Sequence, residues 1–186
     1  MKKIDFLKES LKSFGVTGTL IPSTEYVSKK MTEKVDFRKD INIVELGAGT
    51  GVITKKILSE MNSKSKLFTF EVNEKFLPDL KLIKDKRLKI VNKSAEGIEG
   101  FLENEGMNKV NYIISSVPLF TLPKETTSKI LDCTLKCISD EGLFIQLQYS
   151  LFLLPKIKKY YKSIKIGFTP LNCPPAFVFN CRKKIK

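Results

Sequence analysis

From residue 41 onward, apolar runs of four to eight residues alternate with stretches whose apolar positions recur every three or four. That alternation predicts an open, mostly parallel β-sheet with helices packed on both faces, an α/β fold. The runs place strands at 41–46, 67–71, 88–91, 110–115, 142–149, 163–168 and 176–181. The helical patterns fall near 51–61, 74–84, 97–104, 123–138 and 152–160. Only Thr169-Pro-Leu-Asn-Cys-Pro-Pro175 separates the last two strands. They should therefore close the seven-stranded sheet as an antiparallel hairpin.

Two helical patterns precede the sheet. In the first, Ile4, Leu7, Leu11 and Phe14 form an apolar stripe flanked by Lys3, Lys8 and Lys12, so residues 1–14 read as a basic amphipathic helix that packs on the domain or lies in a membrane interface. In the second, Ser23 or Thr24 caps a helix carrying Val27, Met31 and Val35, with Glu25 near its positive end. The expected organisation is one domain over 1–186: a helical segment, 1–40, covering the site, and a core, 41–186.

Length and composition agree with one packed core, since the chain has 186 residues, 42% of them hydrophobic and 28% charged. Asp5, Lys8 and Glu9 interrupt the apolar run that a secretory signal needs after Met1-Lys2-Lys3, which predicts a cytoplasmic protein. The longest uncharged stretch, Gly142 to Pro155, is short of the roughly 20 residues that span a bilayer. Cys133, Cys137, Cys173 and Cys181 lack CxxC spacing and there is no histidine, so they read as reduced thiols and no metal site is expected.

A net charge of +13 favours a polyanionic partner, either nucleic acid or an acidic membrane surface. Only Arg38, Arg87 and Arg182 are arginines. Lysine suits the diffuse charge of a headgroup layer better than bidentate base readout, which leans the reading towards membrane. Lysine enrichment for solubility alone explains the charge equally well.

The chemistry centres on Asn42-Ile-Val-Glu-Leu-Gly-Ala-Gly-Thr-Gly51, where a strand turns sharply into a helix whose free N–H groups face a ligand. Gly47, Gly49 and Gly51 allow a close approach. The spacing is G-x-G-x-G rather than the dinucleotide G-x-G-x-x-G, and Glu45 at the strand end would repel a pyrophosphate. A cationic ligand such as S-adenosylmethionine (SAM), with its sulfonium and ammonium groups, suits it.

Glu45 to Gly51 resembles the first motif of the class I SAM-dependent methyltransferases, and the likeness extends over essentially everything from residue 41. It implies a Rossmann-like, three-layer αβα fold with a seven-stranded sheet whose last strand is antiparallel, and transferase activity with SAM as cofactor. The implied cofactor contacts are Glu45, Gly47, Ala48, Gly49 and Gly51, Glu71 for the ribose hydroxyls with Val72 beside it, Ser94 and Ala95, and Ser115. Ser94, with Glu96 nearby, stands where members often carry the aspartate that meets adenine, and Asn111 where the fourth strand usually starts with an acid.

The methyl acceptor should face Ile113-Ile-Ser-Ser-Val-Pro-Leu-Phe120. Adenine-N6 methylating enzymes place Asn or Asp before a proline here and an aromatic after it, but this chain has Ser116 before Val117-Pro118 and Leu119 after. The segments GTLIPSTEYVSKKM, SSVPLFTLP, GLFIQLQYS and LNCPPAFVF are instead similar to bacterial phospholipid N-methyltransferases acting on phosphatidylethanolamine. That resemblance implies an aminophospholipid substrate and peripheral attachment to an anionic membrane on its cytoplasmic face. Tyr26, Ser116, Pro118 and Tyr149 are the candidate catalytic residues, and Tyr26, Tyr149 and Phe120 could wall a methylated ammonium by cation–π attraction. The run Lys156, Lys158, Lys159, Tyr160 and Tyr161 reads as solvated helix surface or a grip on lipid phosphates, and Pro174-Pro175 as a turn. The alternatives are an rRNA adenine N6-dimethyltransferase-like enzyme that binds nucleic acid, or a catalytically silent SAM-fold binding protein.

Overall fold

A computed structural model describes residues 25–172 and 174–183. The amphipathic pattern at 1–14, the caps Ser23 and Thr24, and Cys173 lie outside the described residues. The first described element, α1 (Glu25–Thr32), buries Val27 and Met31 completely, as its spacing predicts. The chain then continues through β1 (Asn42–Leu46), α2 (Val52–Glu60), β2 (Lys66–Phe70), α3 (Leu77–Lys81) and β3 (Leu88–Val91). After these come α4 (Ile98–Asn104), β4 (Val110–Ser115), α5 (Lys124–Cys137), β5 (Ile138–Gln148), α6 (Leu154–Ile157), β6 (Ser163–Thr169) and β7 (Ala176–Arg182).

One seven-stranded sheet runs in the order β3-β2-β1-β4-β5-β7-β6. The pairings β1–β2, β1–β4, β2–β3 and β4–β5 are parallel, and β7 is antiparallel to both β5 and β6. Because side chains alternate across a strand, each strand feeds two cores. Val44 and Leu46 of β1 join Phe68, Phe70, Ile113, Phe144 and Phe179 beneath α4, α5 and the segment around α6. On the other face, Ile43, Leu67, Ile114, Ile145 and Val178 pack with Val27, Met31, Ile53 and Ile57 of α1 and α2. Full burial of such side chains stabilises by about 1.5–3 kcal/mol each, which makes these two layers the main force holding the fold.

Three elements differ from the sequence expectation. β5 starts at Ile138 instead of 142, and its register against β4 shifts between Val110 and Tyr112. A Cβ on Gly142 would sit 2.8 Å from the Asn111 carbonyl, so glycine permits the strand to kink and continue. The helix expected at 152–160 contracts to the single turn of α6, flanked by turns. Leu153, Ile157 and Tyr161 are buried four apart, which produces a helical pattern without a continuous helix. Tyr161 is therefore core rather than a lipid grip: it stacks on Phe144 at 5.3 Å and donates to Thr134 Oγ1 at 2.9 Å. The 74–84 helix splits into a 3-10 turn, Glu74–Phe76, and α3, with Pro78 in its first turn.

Asn111 ties strands at the opposite end of the sheet, its Oδ1 accepting from Asn42 N at 2.8 Å. Among the described residues no helix is long and apolar enough to cross a membrane.

Candidate active site

In the order β3-β2-β1-β4 the direction in which successive strands are added reverses between the parallel strands β1 and β4, which opens a crevice at their carboxyl ends. Leu46 pairs in register with Phe70 and with Ser115, so the loops leaving β1, β2 and β4 start at one level. The sequence-nominated segments 45–51, 71–72, 94–95 and 115–118 all lie along this edge.

Gly47, Gly49 and Gly51 have φ of +76°, +55° and +81°, a region that costs other residues about 1–2 kcal/mol. Their surroundings differ. A Cβ on Gly47 would press on Val117 Cγ2 at 3.3 Å, so the turn touches the loop after β4. A Cβ on Gly51 would meet Ile83 and Leu80 at 3.0 and 3.1 Å. A Cβ on Gly49 would meet nothing within 4 Å, which leaves that face of the turn open to a ligand.

Two buried carboxylates flank the turn. Glu45 is 1% exposed, and its Oε2 accepts from Thr54 Oγ1 at 2.7 Å and Thr69 Oγ1 at 2.8 Å. Its Oε1 is buried without a hydrogen-bond partner. Burial pushes the carboxyl up to about 7; the two threonine hydroxyls pull it back, and the Glu71 charge adds to the rise. Glu71 Oε2 accepts from Gly49 N at 2.8 Å and Oε1 from Asn73 N at 2.7 Å, which fixes the carboxylate against the turn while leaving further lone pairs. Burial raises its pKa, opposed by these backbone donors.

A partnerless carboxylate oxygen, an open position over Gly49 and a second oriented carboxylate suit a cationic nucleoside such as SAM. Ala48 donates its N–H to Phe70 O at the end of β2, and Val72 follows Glu71 on the same edge. Ser94 caps the 3-10 turn Ala95–Gly97, accepting from Glu96 N at 3.3 Å, and Ala95 is buried beneath it.

The loop after β4 forms the other wall. Ser115 Oγ accepts from Val117 N at 3.3 Å, and Ser116 donates its N–H to Leu46 O at 2.9 Å while its Oγ is buried without a partner. Pro118 O accepts from Thr121. Gln146, fully buried on β5, supports this loop: its Nε2 donates to Val117 O at 2.9 Å and Leu147 O at 2.7 Å. Two carbonyl acceptors fix the amide orientation and leave Oε1 without a donor.

Tyr149 leaves β5 at this edge, 42% exposed, and its phenol is raised by burial against a hydrogen bond with Asn172. Tyr26 opens α1 with its ring exposed, and Phe120 stacks on Phe152 with centroids 5.5 Å apart. The sequence reading passed over Thr54, Thr69, Gln146 and Asn172. A signal existed for two of them: Thr69 is the polar interruption in the inward-facing run Leu67-Phe-Thr-Phe70, and Thr54 sits in the first turn after Gly51. Cys133 and Cys137 are free thiols on α5, as is Cys181 on β7.

No family model matches the sequence. The chain is 22% identical over 183 residues to the ornithine lipid N-methyltransferase of Singulisphaera acidiphila, covering 95% of this chain and 94% of that protein. It is 26% identical over 172 residues to the ribosomal RNA small subunit methyltransferase A of Borreliella burgdorferi, covering 81% of this chain but 60% of that one. Among solved structures, the N-methyltransferase NodS from Bradyrhizobium japonicum, crystallised with S-adenosylhomocysteine, superimposes with a TM-score of 0.71 at 9% identity and full coverage of both chains. The seven-stranded sheet therefore has the class I SAM-dependent methyltransferase fold.

Proposed function

We propose that this methyltransferase moves methyl groups from SAM to the primary amine of a lipid headgroup, with phosphatidylethanolamine as the first candidate acceptor and an ornithine lipid as the second. The observation that carries the proposal is the make-up of the acceptor edge. Ser116 stands where an adenine-methylating site needs a side-chain amide or carboxylate to accept from the base amine, and the candidate wall residues Tyr149, Phe120 and Tyr26 are all exposed aromatics. Those aromatic faces suit an ammonium that becomes quaternary. The end-to-end match to a protein named for lipid N-methylation supports the same choice.

Bound SAM supplies an electrophilic methyl group on sulfur, open to in-line displacement. The chain's own residues hold and orient. Glu45 and the turn 47–51 receive the charged end of the cofactor, Glu71 its ribose hydroxyls, and Ser94 and Ala95 border its base, with Val72 and Ser115 completing the walls. Ser116, Pro118, Tyr26 and Tyr149 hold the amine in line, and orientation of this kind supplies roughly 7–11 kcal/mol. An ethanolamine ammonium, with a pKa of about 10 like that of lysine, must arrive neutral. The Tyr149 phenol is raised, so it stays protonated and serves as wall rather than base. Proton loss to water, with desolvation lowering its cost, replaces a histidine relay.

Incubation with methyl-labelled SAM and, separately, vesicles of phosphatidylethanolamine, vesicles of ornithine lipid, and unmodified ribosomal RNA tests the proposal. Label in an aminolipid is expected. Label confined to RNA would replace it with base methylation, and no label anywhere, with no heat on titration of SAM, would make the chain a silent member of its fold.

A further inference from the structure

We propose that the rim formed by Phe120, Leu151 and Phe152, with Lys124, Lys156 and Lys159 beside it, docks on an anionic lipid bilayer and brings the mouth of the site to the headgroup layer. The inference gives the proposed lipid reading its surface, but it stands on separate observations.

The first is an apolar surface held out rigidly. Phe120 and Phe152 stack at 5.5 Å and 26° between ring planes, yet they remain 52% and 75% exposed. Each neighbours a buried leucine: Leu119 is 1% exposed and Leu153 is 3%. Thr127 Oγ1 pins the Leu119 carbonyl at 2.8 Å, and Ile157 N donates to Leu153 O at 3.0 Å. The inward leucines anchor both loops, and the outward phenylalanines are therefore presented rather than loosely exposed. Leu151 adds to the patch from the same loop.

The second is the charge. Lys156 Nζ donates to the Lys124 carbonyl at 2.9 Å, which brings two lysine-bearing segments together, and burial together with Lys124 and Lys159 holds the Lys156 ammonium below its usual range. The nearest acid in sequence, Glu125, pairs with Lys129 at 2.8 Å. None of the three lysines forms an ion pair within 4 Å among the described residues. A cluster of mutually repelling cations next to exposed aromatics matches a surface whose charge is negative and whose interior is apolar.

The third is position. β4, β5 and β6 run parallel, so the loops after β4 and β5 and the β6–β7 hairpin share one end of the sheet, the end that carries the glycine turn. Leu171, at the hairpin tip, is exposed there as well. A bilayer is favoured over RNA by the make-up of the patch. The rings stack on each other instead of standing free for bases, leucines offer nucleobases nothing, and the cations are lysines rather than arginines.

Sedimentation of the full chain with phosphatidylglycerol–phosphatidylcholine vesicles containing no aminolipid provides the test, with S-adenosylhomocysteine thermal shift as the folding control. Wild type should partition onto anionic vesicles and leave pure phosphatidylcholine largely unbound. Lys156→Gln with Lys159→Gln should lower the anionic partition coefficient about tenfold or more. Phe152→Ser should lower it at every salt concentration, with Phe152→Trp restoring it. Wild-type partition in all of these variants would overturn the proposal, as would variants that lose only RNA binding. Methyl transfer to detergent-dispersed aminolipid separates the two readings. Label there without any effect of the rim variants on vesicle binding sinks the docking surface alone; vesicle binding without label in lipid sinks the acceptor assignment alone.

Discussion

Glu45 is an acid that the fold keeps under tension. Its carboxyl titrates near 7 because burial disfavours the charge more than Thr54 and Thr69 favour it. An acid with a folded pKa raised above its unfolded value binds more protons folded than unfolded, so its contribution is fully present below about 4.5 and is lost as pH rises through about 7. The cost in the ligand-free protein at pH 8 is on the order of 3 kcal/mol. Glu45→Gln should therefore melt higher than wild type at pH 8 by differential scanning fluorimetry, with the gap closing towards pH 5. The same variant should bind SAM at least tenfold more weakly at pH 8 by calorimetry, since it lacks the anion that the cofactor's cation would meet. A melting temperature unchanged at both pH values would mean the carboxyl is not strained.

The glycines separate in the same way. Gly51→Ala combines left-handed backbone strain with contacts of 3.0 and 3.1 Å to Ile83 and Leu80, so it should cost about 2–4 kcal/mol of stability. Gly49→Ala faces open space and should cost about 1–2 kcal/mol, the strain alone, while reducing SAM affinity more than its stability loss accounts for. Chemical denaturation with SAM titration on both variants checks the pair. These residues were legible in the sequence because glycine and acid at such spacing have few other physical uses. Gln146, Thr54 and Thr69 were not, because a polar residue in a strand or helix declares its partner only once the chain is folded.

At the level of elements, β5 does two jobs with alternate side chains. Leu143, Ile145 and Leu147 face one core, while Phe144, Gln146 and Gln148 face the other. Gln146 places an amide under the Val117 carbonyl, so a strand interior sets the loop after β4, the wall proposed for the acceptor. Gln146→Leu would leave that carbonyl without its side-chain donor, at about 1–3 kcal/mol, and free the loop. The expected result is a kcat several-fold lower or worse with SAM affinity within about twofold of wild type; equal losses in both would make Gln146 a general support of the fold instead.

Element identity followed well from periodicity, since the central strands, buried on both faces, read as plain apolar runs. The departures have local causes. Gly142 lets β5 bend and begin early, Pro78 and Pro155 shorten the helices around them, and Leu153, Ile157 and Tyr161 imitate a helix stripe while the backbone merely turns.

For the whole molecule, charge acts on folding and on binding with opposite signs. Thirty-three lysines and arginines against 20 acids leave +13, and most of the ion pairs are exposed ones of little individual value. Crowding like charges onto a compact surface destabilises it, whereas the same excess draws the protein to an anionic bilayer. Salt shortens the screening length from about 30 Å at 0.01 M to about 10 Å at 0.1 M, so it relieves the first effect and weakens the second. Raising salt between these limits should lift the melting temperature and, over the same range, reduce partition onto anionic vesicles. Measuring both on one preparation is a stringent check, because any general salting-out or aggregation would move them in the same direction. A melting temperature that falls with salt would show that local pairs, such as Arg87 with Asp85 and Lys30 with Glu33, outweigh the net repulsion. The excess lysines would then be spent on stability and could not be credited to the membrane.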